Sequence, residues 1–432
     1  MGEGDRQAEE PPRSAVSHGV GLAGLVGFVG WLLLARANGW DGLFGTLGLL
    51  AACAAPMLLW SLLIDKVHRH ASTGIDWNAT PRPLGEALDT ALVKLAGLWT
   101  TWGAIAIVYA VGRWYSEGAY RFSIALLQWA TPGLVLLSIP YVIWLDRRLT
   151  EPRDGAYACG LWLLGRRDPA MREALYDHGR AWAVKGFFIA FMLAILPGSY
   201  KGLFTLTAGA DVSDPAALAK ALILLLFLVD IAFATVGYLL TFRPLDSHIR
   251  SANPFVAGWT AALICYPPIV LMREGGPLDY HSGTAEWDHW LAGYPLALAA
   301  MGTLLILLAG VYAWATLVFG LRFSNLTHRG ILTHGPYRWT KHPAYLAKNL
   351  LWWLSTLPFL STTGNPADMV RNTLLLASVS AVYYWRARTE EAHLSADPVY
   401  RAYALWMERH APVPRLIRRL TGRRRPAPAA AE

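Results

Sequence analysis

Long apolar blocks constrain this chain more than any other feature of its sequence. The 432 residues contain about ten such blocks, each roughly 18 to 28 residues long, which is the length that a helix needs to cross a bilayer. The polar residues lie mainly between the blocks, whereas a surface helix would show an apolar stripe every 3.6 residues. The sequence therefore predicts an all-α, polytopic transmembrane helix bundle of about ten spans. The candidate spans are 18–36, 43–65, 93–112, 122–145, 181–203, 216–242, 254–272, 291–320, 344–361 and 369–386.

Composition agrees with a membrane protein and argues against other classes. The chain is 54% hydrophobic and 16% charged, which is too apolar for an ordinary soluble enzyme, and its 20 tryptophans and 18 tyrosines suit interfacial belts. Cys53, Cys159 and Cys265 are odd in number and widely spaced, so neither a disulfide framework nor a zinc site is predicted. The net charge of +8 comes from loops and the C-terminal tail, where orientation and anionic lipids explain it without nucleic acid.

The charges of the loops predict an orientation. Residues 146–180 hold seven arginines, whereas 273–290 hold one arginine against four acidic residues. Because positive loops stay in the cytoplasm, the first loop is predicted to be cytoplasmic and the second external. With alternating spans, the loops 66–92, 243–253 and 321–343 and both termini are then cytoplasmic.

Changes in composition divide the chain into four regions. We expect a flexible, acidic N-terminal tail over 1–17, an N-terminal transmembrane bundle of unknown role over 18–290, and a C-terminal core over 291–412. The basic and Pro/Ala-rich residues 413–432 are predicted to be a disordered tail that lies against lipid headgroups.

The first of two polar segments in the C-terminal core runs from His334 to Leu346, with the sequence HGPYRWTKHPAYL. Gly335 breaks the chain after a long span, and Pro343 suits the first turn of the next helix. Such a helix N-terminus offers free N–H groups and a positive dipole to an anion. An ordinary interfacial turn, in which the basic and aromatic side chains snorkel to the headgroups, also explains this segment.

The second polar segment runs from Arg386 to Leu394, with the sequence RARTEEAHL. Arg386 and Glu390 are four residues apart and share one helical face, and Glu391 is adjacent. Paired carboxylates beside an apolar span require water, a cation or a polar ligand, although a solvated i,i+4 ion pair is an alternative explanation. Because two short spans separate the segments, both are predicted on the cytoplasmic side, where we expect them to close over one polar ligand.

The two segments, followed by VYRAY at Val399–Tyr403, resemble the isoprenylcysteine carboxyl methyltransferase (ICMT) family. The family's pattern reads roughly G-x-Y-x-x-x-R-H-P-x-Y, then R-x-x-x-E-E-x-x-L, then Y-x-x-Y. The residues that match in order are Gly335, Tyr337, His342, Pro343, Tyr345, Arg386, Glu390, Glu391, Leu394, Tyr400 and Tyr403. The resemblance covers about residues 300–412.

This resemblance implies a methyltransferase that uses S-adenosyl-L-methionine and acts at the cytoplasmic membrane face. The acceptor would be an isoprenylcysteine carboxylate or another lipophilic or lipidated molecule that enters through the membrane, and no metal is required. Arg386 and Lys341 are the implied catalytic residues. The implied cofactor-binding residues are Gly335, Tyr337, His342, Pro343, Tyr345, Glu390 and Glu391.

The chain departs from the family's pattern at a few positions. Lys341 replaces the usual arginine before His-Pro, Ala347 follows the tyrosine at the position of a small residue, and Asp397 and Pro398 replace the usual Phe-Gly. Lysine cannot offer a carboxylate the bidentate fork of arginine. This substitution argues against a prenylcysteine carboxylate more than against the cofactor.

Four other residues are candidates for contact with the substrate. Asp230 lies near the middle of the span 216–242, where a carboxylate either touches substrate or protons or makes a structural hydrogen bond. Asn349, one turn into the span after the first segment, can line the same pocket as its neighbour Lys348, and Tyr400 and Tyr403 follow the second segment. The outer loop also contains metal-capable groups at generic spacing, and no metal site is predicted there.

Two other functions remain open on the sequence. An NADPH-dependent membrane sterol or enone reductase would place related segments in similar order. A non-enzymatic transporter or assembly protein that kept a decayed methyltransferase end would bind no cofactor, and movement of its substrate would depend on Asp230.

Overall fold

The computed structural model describes residues 10–115, 118–208 and 213–421, which are mainly helical. Strand β1 (Ser251–Ala252) pairs antiparallel with β2 (Thr327–His328). The helices are α1 (His18–Asn38), α2 (Leu43–Leu59, continued by a π-helical turn over Trp60–Ile64), α3 (Leu84–Gly112), α4 (Arg121–Asp146), α5 (Gly155–Leu163), α6 (Arg172–Ala208), α7 (Pro215–Leu239), α8 (Val256–Leu263), α9 (Trp287–Trp290), α10 (Pro295–Leu317), α11 (Pro343–Thr356), α12 (Pro366–Leu394), α13 (Pro398–His410) and α14 (Pro412–Thr421).

Seven of the described helices are long and apolar enough to cross a membrane: α1, α2, α3, α4, α6, α7 and α10. The chain is therefore an all-α, multi-pass integral membrane protein, as the apolar blocks predict. The predicted count of about ten spans is not confirmed. At 1.5 Å per residue, the 8 residues of α8 and the 14 residues of α11 reach only about 12 and 21 Å, less than the hydrocarbon core of roughly 30 Å.

The contacts between α7 and α10 determine how the chain runs between them. Gly302 of α10 packs against Ala219 near the start of α7, and Gly237 near the end of α7 packs against Phe323, just beyond α10. The two helices are therefore parallel, and residues 240–294 return along the bundle from the end of one to the start of the other.

The returning segment, residues 240–294, does not contain the continuous helix that the sequence predicts. The continuous span predicted over 254–272 is wrong, because α8 ends at Leu263 and residues 264–286 form turns and irregular chain. Pro267 and Pro268 are adjacent and both lack a backbone N–H donor, which favours the end of a helix before them. The irregular chain packs against α12, where Tyr280 joins Leu376 and Val379 in one apolar cluster. Non-helical backbone is tolerated at membrane depth when protein covers it in this way.

The core of the N-terminal bundle lies around α7. Leu228, Ala232 and Phe233 of this helix are fully buried among apolar side chains of α1, α2, α6 and α10. Because α10 lies in the predicted C-terminal core (291–412), side chains of that core pack directly against the predicted N-terminal bundle.

Two buried arginines fix the link between α10 and the first polar segment. Arg322 donates to Asp246 at 2.6 Å, and Arg329 donates to four backbone carbonyls around the ends of α7 and α10. Buried guanidinium groups are stabilised only when their donors are satisfied. The segment that leads into the candidate site is therefore tied to the loop after α7.

The structure describes parts of both predicted tails. The backbone N–H of Ala15 donates to the carbonyl of Ile331 at 2.8 Å, and the Ser14 hydroxyl lies 2.7 Å from His334 Nδ1, so the end of the N-terminal tail contacts the first polar segment. Residues 413–421 of the C-terminal tail belong to α14, on which Val413, Leu416 and Leu420 make one apolar face. Residues 1–9 and 422–432 lie outside the described parts.

Candidate active site

The turn that begins the first polar segment requires glycine and proline. Gly335 has φ of +59°, and a Cβ there would lie 2.9 Å from Val318 Cγ1. Pro343 is the first residue of α11, and His342 is its N-cap, as the sequence predicts. The N-terminus of α11 therefore lies directly beside the polar residues of the segment.

The two polar segments meet where Glu390 and Glu391 of the second contact side chains of the first. Lys341 Nζ lies 2.9 Å from Glu391 Oε2, and His342 Nε2 lies 2.9 Å from Glu391 Oε1. The Tyr345 hydroxyl donates to Glu390 Oε2 at 3.1 Å. The predicted proximity of the segments is thus observed, with Lys341, His342, Tyr345, Glu390 and Glu391 in one cluster.

Glu391 is held in its charged form. Burial alone would raise its pKa, but the hydrogen bonds from His342 and Lys341 outweigh that effect and lower the pKa of Glu391 to about 2. Both of its oxygens are therefore engaged by protein donors. Glu390, whose side chain is 42% exposed, retains acceptor capacity for a ligand.

Arg386 is the buried cation of the site. It is 4% exposed, and its Nη2 donates to the Tyr266 hydroxyl at 3.3 Å and to Asn325 Oδ1 at 3.2 Å. Its guanidinium also lies over the rings of Tyr345 and Tyr383, at 5.1 and 5.0 Å from their centroids. The buried Nη1 has no hydrogen-bond partner among the described residues. A buried donor without a partner is costly, so this atom is suited to meet a ligand.

A cavity joins this cluster to the interior of the bundle. Lys341, His342, Glu390 and Arg386 contribute its polar lining together with Lys348. Its aromatic lining consists of Tyr266, Tyr312, Phe319, Phe323, Tyr337, Tyr345 and Tyr383. The cavity therefore combines charged groups with aromatic rings in one lining.

Asp230 lies directly behind the wall of this cavity. Its Oδ2 accepts a hydrogen bond from the Tyr312 hydroxyl at 2.9 Å, and its Oδ1 accepts one from the Thr316 hydroxyl. Tyr312 and Thr316 line the cavity, so they separate Asp230 from it. Lys348 Nζ lies 5.2 Å from the centroid of the Tyr312 ring.

Some predicted residues support the site without lining this cavity. The Tyr403 hydroxyl donates to the carbonyl of Tyr337 at 2.7 Å, and Tyr400 packs beside it in an apolar cluster on α13. Asn349 donates to the carbonyl of Tyr345 at 2.8 Å. Gly335 and Pro343 shape the turn and the start of α11. Tyr403, Asn349, Gly335 and Pro343 thus act on the backbone of the first segment, whereas Tyr400 packs against Tyr403.

Four residues that hydrogen-bond to Arg386 or Asp230 lie outside the predicted set. Tyr266 belongs to the irregular return segment and Asn325 to the link after α10, and neither carries a local signal of its role. Tyr312 and Thr316 stand four residues apart within an apolar span and so share a helical face. Two hydroxyl groups on one face of an apolar helix indicate that a polar side chain of another helix lies opposite them, as Asp230 does.

A comparison with known protein families covers the residues of this cluster. Residues 296–396, called the ICMT region below, match the Isoprenylcysteine carboxyl methyltransferase (ICMT) family. The ICMT region begins at the start of α10 and includes both polar segments, from His334 to Leu394. It ends before Tyr400 and Tyr403. No curated protein and no solved structure matches the chain. The ICMT region identifies the C-terminal part as methyltransferase-like in an integral membrane protein, and residues before 296 lie outside the match.

Proposed function

We propose that this protein is an S-adenosylmethionine-dependent methyltransferase that acts on a lipophilic or membrane-bound acceptor at the cytoplasmic membrane face. One observation carries the proposal: within the ICMT region, Lys341, His342 and Tyr345 meet Glu390 and Glu391 beside the unpartnered Nη1 of Arg386. The cluster supplies both signs of charge to a zwitterionic ligand.

The donors and acceptors of the cluster fit this cofactor. Glu390 can accept hydrogen bonds from ribose hydroxyls or an amino group, and the N-terminus of α11 can bind a carboxylate. The aromatic lining of the cavity, which includes Tyr337, suits a sulfonium cation. S-adenosylmethionine supplies an electrophilic methyl group when it is bound, and the protein's task is to orient it and exclude water.

Lys341 and Arg386 have different neighbours, and we therefore assign them different roles. The ammonium of Lys341 is paired with Glu391, so we assign Lys341 and His342 to positioning that carboxylate. Arg386 makes no ion pair with a carboxylate among the described residues, and one of its nitrogens is without a partner. Arg386 is thus the residue proposed to contact the acceptor.

The walls of the cavity favour a lipophilic acceptor. Tyr312 lies near the end of α10, Phe319 lies just beyond that helix, and Tyr383 lies on α12. Aromatic surface of this kind is stabilised by contact with apolar groups rather than with water. An acceptor dissolved in the bilayer would meet this surface first and bring its reactive atom to the charged groups.

Binding of S-adenosylhomocysteine to the purified protein in detergent tests this function. Glu390→Gln should weaken binding by about tenfold or more, because a charge-assisted hydrogen bond contributes about 1.5–3 kcal/mol. Glu408→Gln makes the same change at an exposed carboxylate on α13 and should leave binding unchanged. Titration calorimetry measures both. Equal affinity of Glu390→Gln and the parent protein would remove Glu390 from the site.

The alternative functions give different results in the same preparation. A reductase would oxidise NADPH in the presence of a membrane lipid extract and incorporate no methyl label. A transporter would bind neither cofactor. Absence of S-adenosylhomocysteine binding by the parent protein would therefore contradict the proposed function.

A further inference from the structure

A buried carboxylate is linked to the cavity through a tyrosine hydroxyl. Asp230 is 7% exposed in the middle of α7, and both of its oxygens accept hydrogen bonds from hydroxyl groups of α10 rather than from a cation. Tyr312, whose hydroxyl donates to Asp230 at 2.9 Å, is also one of the residues that line the cavity. The Tyr312 oxygen therefore directs its own proton at a carboxylate and keeps lone-pair capacity to accept another proton.

Two cations line the same cavity. Lys348 Nζ lies 5.2 Å from the Tyr312 ring centroid and 5.1 Å from that of Trp352, and it makes no ion pair with a carboxylate in the described parts of the chain. Arg386 Nη1 is buried without a partner. Both groups would stabilise negative charge that develops on an acceptor oxygen between them.

We propose that Asp230, acting through Tyr312, is the proton acceptor of the reaction, and that the acceptor is a lipophilic hydroxyl compound. This inference rests on the proposed methyltransferase function and specifies its substrate class. Lys348 and Arg386 stabilise the developing oxyanion, and Thr316 holds Asp230 in position. The other titratable groups that interact electrostatically with Asp230 are Lys348, Tyr266 and Tyr337.

The proton and electron balance of the step is complete with these groups. The acceptor O–H bond breaks as its proton moves to the Tyr312 oxygen, while the Tyr312 proton moves to Asp230 Oδ2. The acceptor oxygen forms a bond to the methyl carbon, and the sulfur–methyl bond breaks, so that the sulfonium sulfur keeps the electron pair as a neutral thioether. After the product leaves, the proton returns from Asp230 through Tyr312 to water in the cavity, which restores the carboxylate, and the product is a methyl ether.

The relay distinguishes a hydroxyl acceptor from a carboxylate acceptor. A carboxylic acid is already ionised at neutral pH and has no proton to give, so its methylation needs no base. A hydroxyl group is protonated at neutral pH and does need one. The pairing of Lys341 with Glu391 also removes one cation that could bind an acceptor carboxylate.

The chemical class of the methylated product tests the acceptor. Membranes that contain the protein are incubated with methyl-labelled S-adenosylmethionine, and the labelled lipids are treated with mild base. A methyl ether keeps its label, whereas a methyl ester releases it as methanol. Retained label is the expected result. Release of methanol would overturn the hydroxyl assignment while leaving the methyltransferase function intact, since S-adenosylhomocysteine binding is measured separately.

Variants of the relay test its role in proton transfer. Asp230→Asn and Tyr312→Phe should reduce methyl transfer about 100-fold or more at pH 7 and leave S-adenosylhomocysteine affinity unchanged. The residual rate should rise about tenfold per pH unit, because the acceptor must then ionise without help. Tyr200→Phe is the matched control: Tyr200 is a buried tyrosine whose hydroxyl donates to the carbonyl of Trp40 at 2.8 Å, away from the cavity. Its transfer rate should be that of the parent protein.

Two results would overturn the relay. One is a Tyr312→Phe variant with the parent rate, and the other is a reduced rate that does not recover as the pH rises. If Asp230→Asn does not fold, Tyr312→Phe decides the question alone, because it removes only one hydroxyl.

Discussion

At the scale of single residues, Glu391 joins the two polar segments. Its two oxygens bind Lys341 and His342, which come about fifty positions earlier in the chain, at 2.9 Å each. Its side chain is 19% exposed, so solvent screens this pairing only in part. Glu391 therefore stabilises the closed arrangement of α11 and α12, whereas the more exposed Glu390 remains available to a ligand.

The depressed pKa of Glu391 predicts a pH-dependent stability. Because the pKa falls from 4.5 to about 2 on folding, the charged form stabilises the fold by up to about 3 kcal/mol above pH 4.5. This contribution is lost as the pH falls from 4.5 towards 2. Glu391→Gln should therefore lower the melting temperature in detergent at pH 7, and the difference from the parent protein should shrink below pH 4.5.

A matched carboxylate separates this effect from general acid sensitivity. Glu408→Gln on α13 should have the same melting temperature as the parent protein at every pH. A difference between Glu391→Gln and the parent that stays constant from pH 7 to pH 3 would show that Glu391 acts through packing rather than through its charge.

At the scale of elements, close helix contacts depend on small residues. Gly97 of α3 and Gly160 of α5 allow the two helices to approach until a Cβ on Gly97 would lie 2.1 Å from the carbonyl oxygen of Ala156. A Cβ on Gly160 would lie 1.9 Å from the carbonyl oxygen of Val93. Small residues at such contacts are a common means of helix association in membranes. The short helix α5 is held in the bundle by this contact.

Two glycines of α3 should respond in opposite ways to alanine. Gly97→Ala should destabilise the protein by about 1–3 kcal/mol, because the backbone of α5 must move. Gly103→Ala should be neutral or stabilise by up to about 1 kcal/mol, because a Cβ there meets no atom within 4 Å and alanine favours the helix. Thermal unfolding in detergent measures both changes. Equal melting temperatures for the two variants would contradict the close packing of α3 and α5.

At the scale of the whole molecule, the parallel arrangement of α7 and α10 governs the topology. The chain must return between them, and it does so through α8 and irregular backbone that α12 covers. The loop 273–290 and the site are thereby placed at opposite ends of α10, since Trp287 packs near its start while Arg322 follows its end. The sidedness that the charges of the loops predict requires this placement.

Cysteine labelling tests this sidedness. Arg167→Cys and Glu408→Cys place exposed thiols in the basic loop and on α13, and both should react with a membrane-impermeant maleimide only after the cells are permeabilised. Glu274→Cys should react in intact cells. The parent protein, in which Cys53 and Cys159 are buried, measures the background. Labelling of Arg167→Cys and Glu408→Cys from opposite sides would contradict the predicted orientation of the site.

The sequence alone was sufficient for the features that depend on local chemistry. The length of an apolar block reports whether a helix can cross a bilayer, and the steric limits of Gly335 and Pro343 set the turn and the start of α11. The order of His342, Arg386 and Glu390 along the chain was enough to indicate the ICMT family. Each of these inferences uses residues that are neighbours in the chain or a spacing that a helix repeats.

Only the tertiary structure decided which polar groups meet. Tyr312 and Asp230 are 82 positions apart, and Arg386 and Tyr266 are 120 apart, so their contacts depend on how the helices pack. The same packing allows residues 264–286 to be irregular and ties Ala15 to Ile331. The hydropathy of a block shows that its side chains are more stable in lipid or in a protein interior than in water. It does not show which neighbouring helix or loop packs against them. The membrane location and the methyltransferase region were therefore evident from the sequence, whereas the surroundings of Arg386 and Asp230 required the fold.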